Sequence, residues 1–172
     1  KGVSPNVASF VGATTVRIHE VGFADRDPTP EELDRMRALV RQAMRDGALG
    51  VGSSLIYPPA FYAKTDELIA LAQVAAEHGG IYISHIRSEG DRLLEALDEF
   101  IAIARAAHLP AEIYHLKAAG QANWSKLDAA FDRLAAARAR GVDAAFDVYP
   151  YVAYQTGLTN LCMAGGVALN CV

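Results

Sequence analysis

Cysteine is almost missing from this chain: its 172 residues hold two, Cys162 and Cys171, both near the carboxyl end. Two thiols so placed build no disulfide framework, and a reducing, cytoplasmic location is expected. Long apolar runs are missing too. None approaches the roughly 20 residues of a bilayer-spanning helix, and the amino terminus lacks a charged-then-apolar leader, so no membrane partner is expected. Basic residues are sparse and scattered, 16 Lys and Arg against 20 Asp and Glu for a net charge of -4. That balance offers no basic face and argues against a nucleic-acid partner. The first strand-to-helix turn has no Gly-rich phosphate cradle, which weakens a nucleotide-binding reading. The chain also opens at Lys1 rather than at a methionine, which suggests a fragment.

Apolar residues are plentiful: at 52% they suffice for the core of one domain. Their arrangement alternates between two periods. Residues 1–28 show little pattern beyond a short β-branched stretch, Thr15–Ile18, which reads as a strand. Thr29-Pro30-Glu31-Glu32 then signals a helix start, with Thr29 as N-cap, Pro30 in the first turn and Glu32 closing a capping box. Leu33, Met36, Val40 and Ala43 form one apolar stripe, and Gly47 stops the helix. A small-residue strand, 48–55, follows. A second helix starts at Thr65, with Asp66 and Glu67 favourably placed in its first turn, and ends at His78-Gly79-Gly80. Strand 81–85, helix 91–107, strand 111–116, a helix over about 124–140 and strand 143–148 complete the series. Strands separated by crossover helices imply a parallel α/β sheet, either open or part of a barrel.

Two of these strands end in histidine: Ile81-Tyr82-Ile83-Ser84-His85 and Ala111-Glu112-Ile113-Tyr114-His115. In parallel α/β folds the carboxyl rim is where ligands bind. Two imidazoles converging there point to a metal, with zinc the natural choice. His19, His78 and His108 lack that context; the last two fall where helices end and suit capping. Polar residues recur on successive strand ends, from Ser53 and Ser54 through His85 and His115 with Lys117 to Tyr149 and Tyr151, a pattern that fits a barrel rim.

Four segments carry a further pattern: Gly47-Ala48-Leu49-Gly50-Val51-Gly52-Ser53-Ser54-Leu55-Ile56-Tyr57-Pro58-Pro59, Ile83-Ser84-His85-Ile86-Arg87-Ser88-Glu89-Gly90-Asp91, Tyr114-His115-Leu116-Lys117-Ala118-Ala119-Gly120 and Asp147-Val148-Tyr149-Pro150-Tyr151. Together they resemble the D-aminoacylase (N-acyl-D-amino-acid deacylase) family of metal-dependent amidohydrolases. The resemblance spans about residues 5–157 and implies the central part of a TIM-type (β/α) barrel, incomplete in this chain. It implies that His85 and His115 are zinc ligands, that Lys117 and Tyr149 bind the substrate's α-carboxylate, and that Tyr57 lines the pocket. Arg87 is a further candidate, for an acidic substrate side chain or for support behind the metal ligands. By the same resemblance a His-x-His pair and a bridging ligand lie upstream of this chain and a catalytic aspartate downstream.

The implied partner is a small molecule, an N-acyl-D-amino acid whose amide bond is hydrolysed. Two alternatives stay open: another amidohydrolase of the hydantoinase or dihydroorotase type, or a catalytically inactive fragment whose open sheet edges invite self-association. Residues 1–157 are expected to form the partial barrel domain and 158–172 a tail of other origin. That tail, with Leu161-Cys162-Met163-Ala164-Gly165-Gly166-Val167-Ala168-Leu169-Asn170, resembles a Gly-rich segment of the carbamoyltransferases, which implies a join near Gly157 to Thr159.

Overall fold

A computed structural model describes residues 4–149. The expected tail, both cysteines, Pro150, Tyr151 and the domain boundary at 157 lie outside the described residues. Five strands, β1 (Val11–Gly12), β2 (Gly50–Ser54), β3 (Ile81–His85), β4 (Ala111–Ile113) and β5 (Ala144–Phe146), form one sheet in sequence order. All four pairings are parallel. The helices are α1 (Ala13–Glu20), α2 (Pro30–Arg45), α3 (Thr65–Ala76), α4 (Leu93–Ala107) and α5 (Leu127–Ala139), each packed on the next. This is an α/β arrangement that matches part of a TIM-type barrel, and among the described residues the sheet is not closed. Among the described residues no helix is long and apolar enough to cross a membrane.

The core lies between sheet and helices. Tyr82 is fully buried against Phe100 of α4, with ring centroids 6.0 Å apart. Val51, Leu71, Leu93, Leu97, Ile103 and Ile113 are completely buried in the same layer. The start of α2 is the capping box that the sequence predicts: the Glu32 amide donates to Thr29 Oγ1 at 3.2 Å, and the Thr29 amide donates to Glu32 Oε2 at 2.8 Å.

The strand expected at Thr15–Ile18 is a helix, α1, and the preceding strand is the two-residue β1. β-Branched residues only weakly oppose a helix, and tertiary packing overrides that preference here. Ala13, Val16 and Arg17 share one buried face at helical spacing. The Arg17 guanidinium is ion-paired with buried Glu67 of α3 and donates to the carbonyls of Ala24 and Arg26, at 3.3 and 2.6 Å. Other limits shift inward. β4 stops at Ile113, β5 spans Ala144–Phe146, and a 3-10 turn, Gln121–Lys126, precedes α5.

Gly50 fixes how closely β2 and β3 approach. It stands opposite Ile81 in the parallel register, and a Cβ on it would sit 1.9 Å from the Ile81 carbonyl oxygen. Its φ of +155 also disfavours a side chain. Gly50→Ala is therefore expected to lower the urea midpoint of the chain by the equivalent of about 1–3 kcal/mol, the usual cost of overpacking. An unchanged midpoint would show that β2 shifts without cost.

Candidate metal centre

Strand β3 aims the first histidine. Successive side chains of a strand point to opposite faces. Tyr82 and Ser84 are buried on the helix side, tied through Ser53 Oγ, which accepts from the Tyr82 hydroxyl (2.7 Å) and donates to Ser84 Oγ (2.9 Å). Ile83 and His85 must then take the other face. His85 ends the strand, in register with Ser54 of β2.

The second histidine arrives differently. The expected strand 111–116 breaks after Ile113, and His115 sits in a turn with φ of 40. Three backbone bonds fasten that turn. The Tyr114 amide donates to the Ser84 carbonyl at 2.9 Å, the His115 amide to Asp147 Oδ1 at 2.6 Å, and the Leu116 amide to the Asp147 carbonyl at 2.9 Å. The imidazoles meet edge to face, with His85 Nδ1 and His115 Nε2 3.0 Å apart.

Three more residues named from the sequence lie beside them. The Tyr57 ring is 5.6 Å from that of His85, and the Tyr149 ring is 6.3 Å from that of His115. Lys117 Nζ lies 2.7 Å from His115 Nδ1, donates to the His115 carbonyl at 2.8 Å, and stands 5.5 Å from the centre of the Tyr149 ring. Arg87 is turned elsewhere. Its guanidinium pairs with Glu99 of α4 at 2.8 and 2.9 Å and donates to the carbonyls of Phe61 and Ala63, each at 2.7 Å. His19 is exposed beside Glu20, and His108 caps α4 in a left-handed conformation.

Glu89 was not singled out by the sequence, where it reads as part of a polar turn. It is 7% exposed, and its Oε1 lies 2.5 Å from Lys117 Nζ, 3.1 Å from His115 Nδ1 and 3.8 Å from His85 Nε2. The available signal was an acidic residue four positions after a strand-end histidine. Asp147, which clamps the His115 turn, was likewise read only as part of a strand.

Burial sets the charge state of the site. It pushes the His85 imidazole down to about 4, with Glu89 opposing and His115 and Lys117 reinforcing the shift. The ring is therefore neutral near pH 7, as a metal ligand must be. Burial also lowers the Lys117 ammonium, against the pull of Glu89, and raises the Tyr149 hydroxyl.

The residues fit a zinc ion on two observations. His85, Glu89 and His115 offer ligand atoms all within 4.8 Å of one another. His85 Nδ1 and His115 Nε2 moreover face each other at 3.0 Å. Two nitrogens on a tetrahedral zinc stand about 3.3 Å apart, given bonds of roughly 2.0–2.1 Å, close to the imidazole separation here.

No family model matches the chain. Over 153 residues it is 39% identical to a D-aminoacylase of Alcaligenes xylosoxydans xylosoxydans, covering 89% of this chain and 31% of that protein. Over 146 residues it is 38% identical to an N-acyl-D-glutamate deacylase of the same organism, covering 85% and 30% respectively. The structure superimposes on an N-acyl-D-glutamate deacylase from Bordetella bronchiseptica, complexed with zinc and a phosphonate mimic of the tetrahedral intermediate. The TM-score is 0.82 at 35% identity, over 86% of this chain and 31% of that one. The chain thus spans about a third of the length of the curated relatives it matches.

A pH dependence follows from buried His85. Its folded-state pKa, about 4, lies below the ordinary value of 6.5, so between these limits the unfolded chain binds more protons. Its contribution is complete above pH 6.5 and is lost as pH falls toward 4. Urea denaturation in the presence of a chelator should show this loss, on the order of 3 kcal/mol. In His85→Gln that component of the slope should vanish; an identical slope in the variant would contradict the burial of a neutral ring.

Proposed function

We propose that this chain, a segment of the D-aminoacylase family, supplies zinc-binding imidazoles and a carboxylate-binding wall to an enzyme that hydrolyses N-acyl-D-amino acids. The observation that carries the reading is the pair His85 Nδ1 and His115 Nε2, 3.0 Å apart at the carboxyl ends of β3 and β4. It occurs in a segment 39% identical to a D-aminoacylase. The relatives' names favour this substrate class over the hydantoinase and dihydroorotase alternatives.

Zinc, when bound, supplies a Lewis acid for the scissile carbonyl and lowers the pKa of water to about 7. The chain's own residues hold and orient. His85 and His115 take the metal. Lys117 offers an ammonium and Tyr149 a hydroxyl to the α-carboxylate of the substrate, fixing the amide at a set distance from the metal. The Tyr149 hydroxyl is buried with no hydrogen-bond partner among the described residues, and burial keeps it protonated, ready to donate. Tyr57, against the His85 ring, walls the pocket. We assign Arg87 to bracing the 60–63 turn against α4 rather than to the substrate, because its hydrogen bonds already go to Glu99 and to two carbonyls there.

The cytoplasmic reading is supported by the cysteine count alone. Two histidines leave a tetrahedral zinc short of ligands, and β1 and β5 are unpaired on their outer sides in the described sheet. We therefore assign turnover to the whole polypeptide carrying this segment. The 172-residue chain by itself should self-associate through those edges.

Substitutions in the full-length polypeptide separate the roles. His115→Ala should remove most of the bound zinc, read by mass spectrometry of metal content, and nearly all turnover. Lys117→Ala should keep the zinc but lower kcat/KM for an N-acyl-D-amino acid by about ten- to 150-fold, the value of a lost charge-assisted hydrogen bond of roughly 1.5–3 kcal/mol. An analogue whose α-carboxylate is an amide should be indifferent to the lysine. Loss of zinc in Lys117→Ala, or equal damage with both substrates, would overturn the assignment. A second outcome concerns the isolated chain, which should give no chelator-sensitive hydrolysis; measurable turnover there would contradict the assignment to the larger polypeptide.

A further inference from the structure

We infer that Glu99 is a positioning residue of the substrate pocket: from helix α4 its carboxylate holds the Arg87 guanidinium, which in turn holds the loop after β2 that carries Tyr57 beside His85. The inference rests on the reading of Tyr57 as a wall of that pocket. It starts from what the guanidinium touches. Arg87 Nε and Nη2 donate to the two carboxylate oxygens of Glu99, at 2.8 and 2.9 Å. Its Nη1 and Nη2 also donate to the carbonyls of Phe61 and Ala63, each at 2.7 Å. A planar guanidinium gripped by two charge-assisted bonds cannot turn about its stem. Glu99 thereby aims the other donors at the two carbonyls.

Those carbonyls belong to a short loop of consecutive turns. The Phe61 amide donates to the Tyr57 carbonyl at 2.9 Å, so the residue that Arg87 holds through its carbonyl holds Tyr57 through its amide. The Tyr62 and Ala63 amides donate to the carbonyls of Pro59 and Ala60, each at 3.1 Å, and close the turns between. At the far end the hydroxyl of Thr65, the first residue of α3, donates to Glu99 Oε1 at 2.9 Å. One carboxylate thus gathers the guanidinium and the start of the next helix. At the near end the Tyr57 ring lies 5.6 Å from that of His85.

Stability alone does not call for such a pair. The Arg87 and Glu99 side chains are only 20% and 13% exposed, and two charges drawn out of water gain little over apolar groups of the same volume. What the pair supplies is direction. A fork of donors at fixed angles sets the path of a loop backbone, where apolar packing would let it slide. The hydrogen bonds of Glu99 go to Arg87 and Thr65, so its effect reaches the pocket through the loop and Tyr57.

A double-mutant cycle in the full-length polypeptide tests the role, with steady-state kinetics on an N-acyl-D-amino acid and metal content read by mass spectrometry. Glu99→Ala should raise KM about tenfold, with kcat within roughly twofold and zinc unchanged, since a displaced wall weakens substrate and transition state alike. In a Tyr57→Ala background the same change should raise KM less than about twofold, because the side chain it positions is gone. General loosening of the protein would cost the same factor in both backgrounds. Should Glu99→Ala not fold, Glu99→Gln, which keeps the volume and one acceptor oxygen, enters the same cycle. Its effect on KM should be about threefold and should likewise vanish in the Tyr57→Ala background. Wild-type KM in the Glu99 variant, equal factors in both backgrounds, or loss of zinc would each overturn the role. Tyr57→Ala alone keeps the two readings apart. A wild-type KM there removes the pocket reading and the inference with it; a raised KM there beside an unaffected Glu99 variant removes only the role of Glu99.

Discussion

In β3, Tyr82 and Ser84 are committed to the helix-covered face, and that commitment decides where His85 can go. The Tyr82 hydroxyl and Ser84 Oγ share a buried hydrogen-bonded network with Ser53 of β2. A one-residue slip would strand these groups on the opposite face and bury the imidazole among the helices. Each unsatisfied buried polar group would cost about 1–3 kcal/mol, so the register is strongly specified. The same register pairs Ser84 with Ile113 of β4. The His115 turn therefore begins from a fixed point beside His85, and the two rings meet because their strands cannot slide.

The contents of the site work against folding. One small volume holds an imidazole, an ammonium and a phenol whose titrations are all displaced by burial, beside a carboxylate 7% exposed. Buried charges destabilise a fold unless paired, and Lys117 with Glu89 is such a pair. Breaking either half would leave the other charge uncompensated, which is costlier than never having placed the pair there. A fold selected for stability alone would fill this rim with apolar side chains. The presence of a neutral His85 here is the kind of local conflict that marks a site for chemistry.

Much of this was legible in the chain. The alternation in 81–85 and the helical stripe that follows made the strand–helix–strand unit readable, and with it the convergence of His85 and His115. The capping box at Thr29 and Glu32 was readable because all of its parts are local. What failed was whatever depended on a distant partner. Thr15–Ile18 looks like a strand until Arg17 is seen paired with Glu67, fifty positions away. Glu89 looks like a solvated turn residue until Lys117 and His115 come beside it from the turn after β4. Arg87 reads from its motif as a candidate for an acidic substrate or for support behind the metal ligands, and it is engaged by Glu99, on a helix that the sequence did locate but whose polar face it could not aim.

The bend at His115 shows why the exposed end of β4 had to depart from a regular strand. In an unbroken strand His115 and Lys117 would share a face, with their Cα atoms roughly 6.6 Å apart and their side chains standing parallel. At His115 the backbone instead takes φ of 40, and Lys117 Nζ comes within 2.7 Å of the ring two residues before it. A left-handed conformation at a residue with a Cβ costs roughly 1–2 kcal/mol. Asp147 offsets that cost from both of its ends, its side chain accepting from the His115 amide and its carbonyl accepting from that of Leu116. Those bonds tie the turn to the segment after β5, which continues to Tyr149. The residue that would meet the substrate, the bend that lets Lys117 reach Glu89 and the ring that would hold the metal therefore depend on one another through the backbone. A change at Asp147 would be felt at all three, although its carboxylate touches none of their side-chain hydrogen bonds.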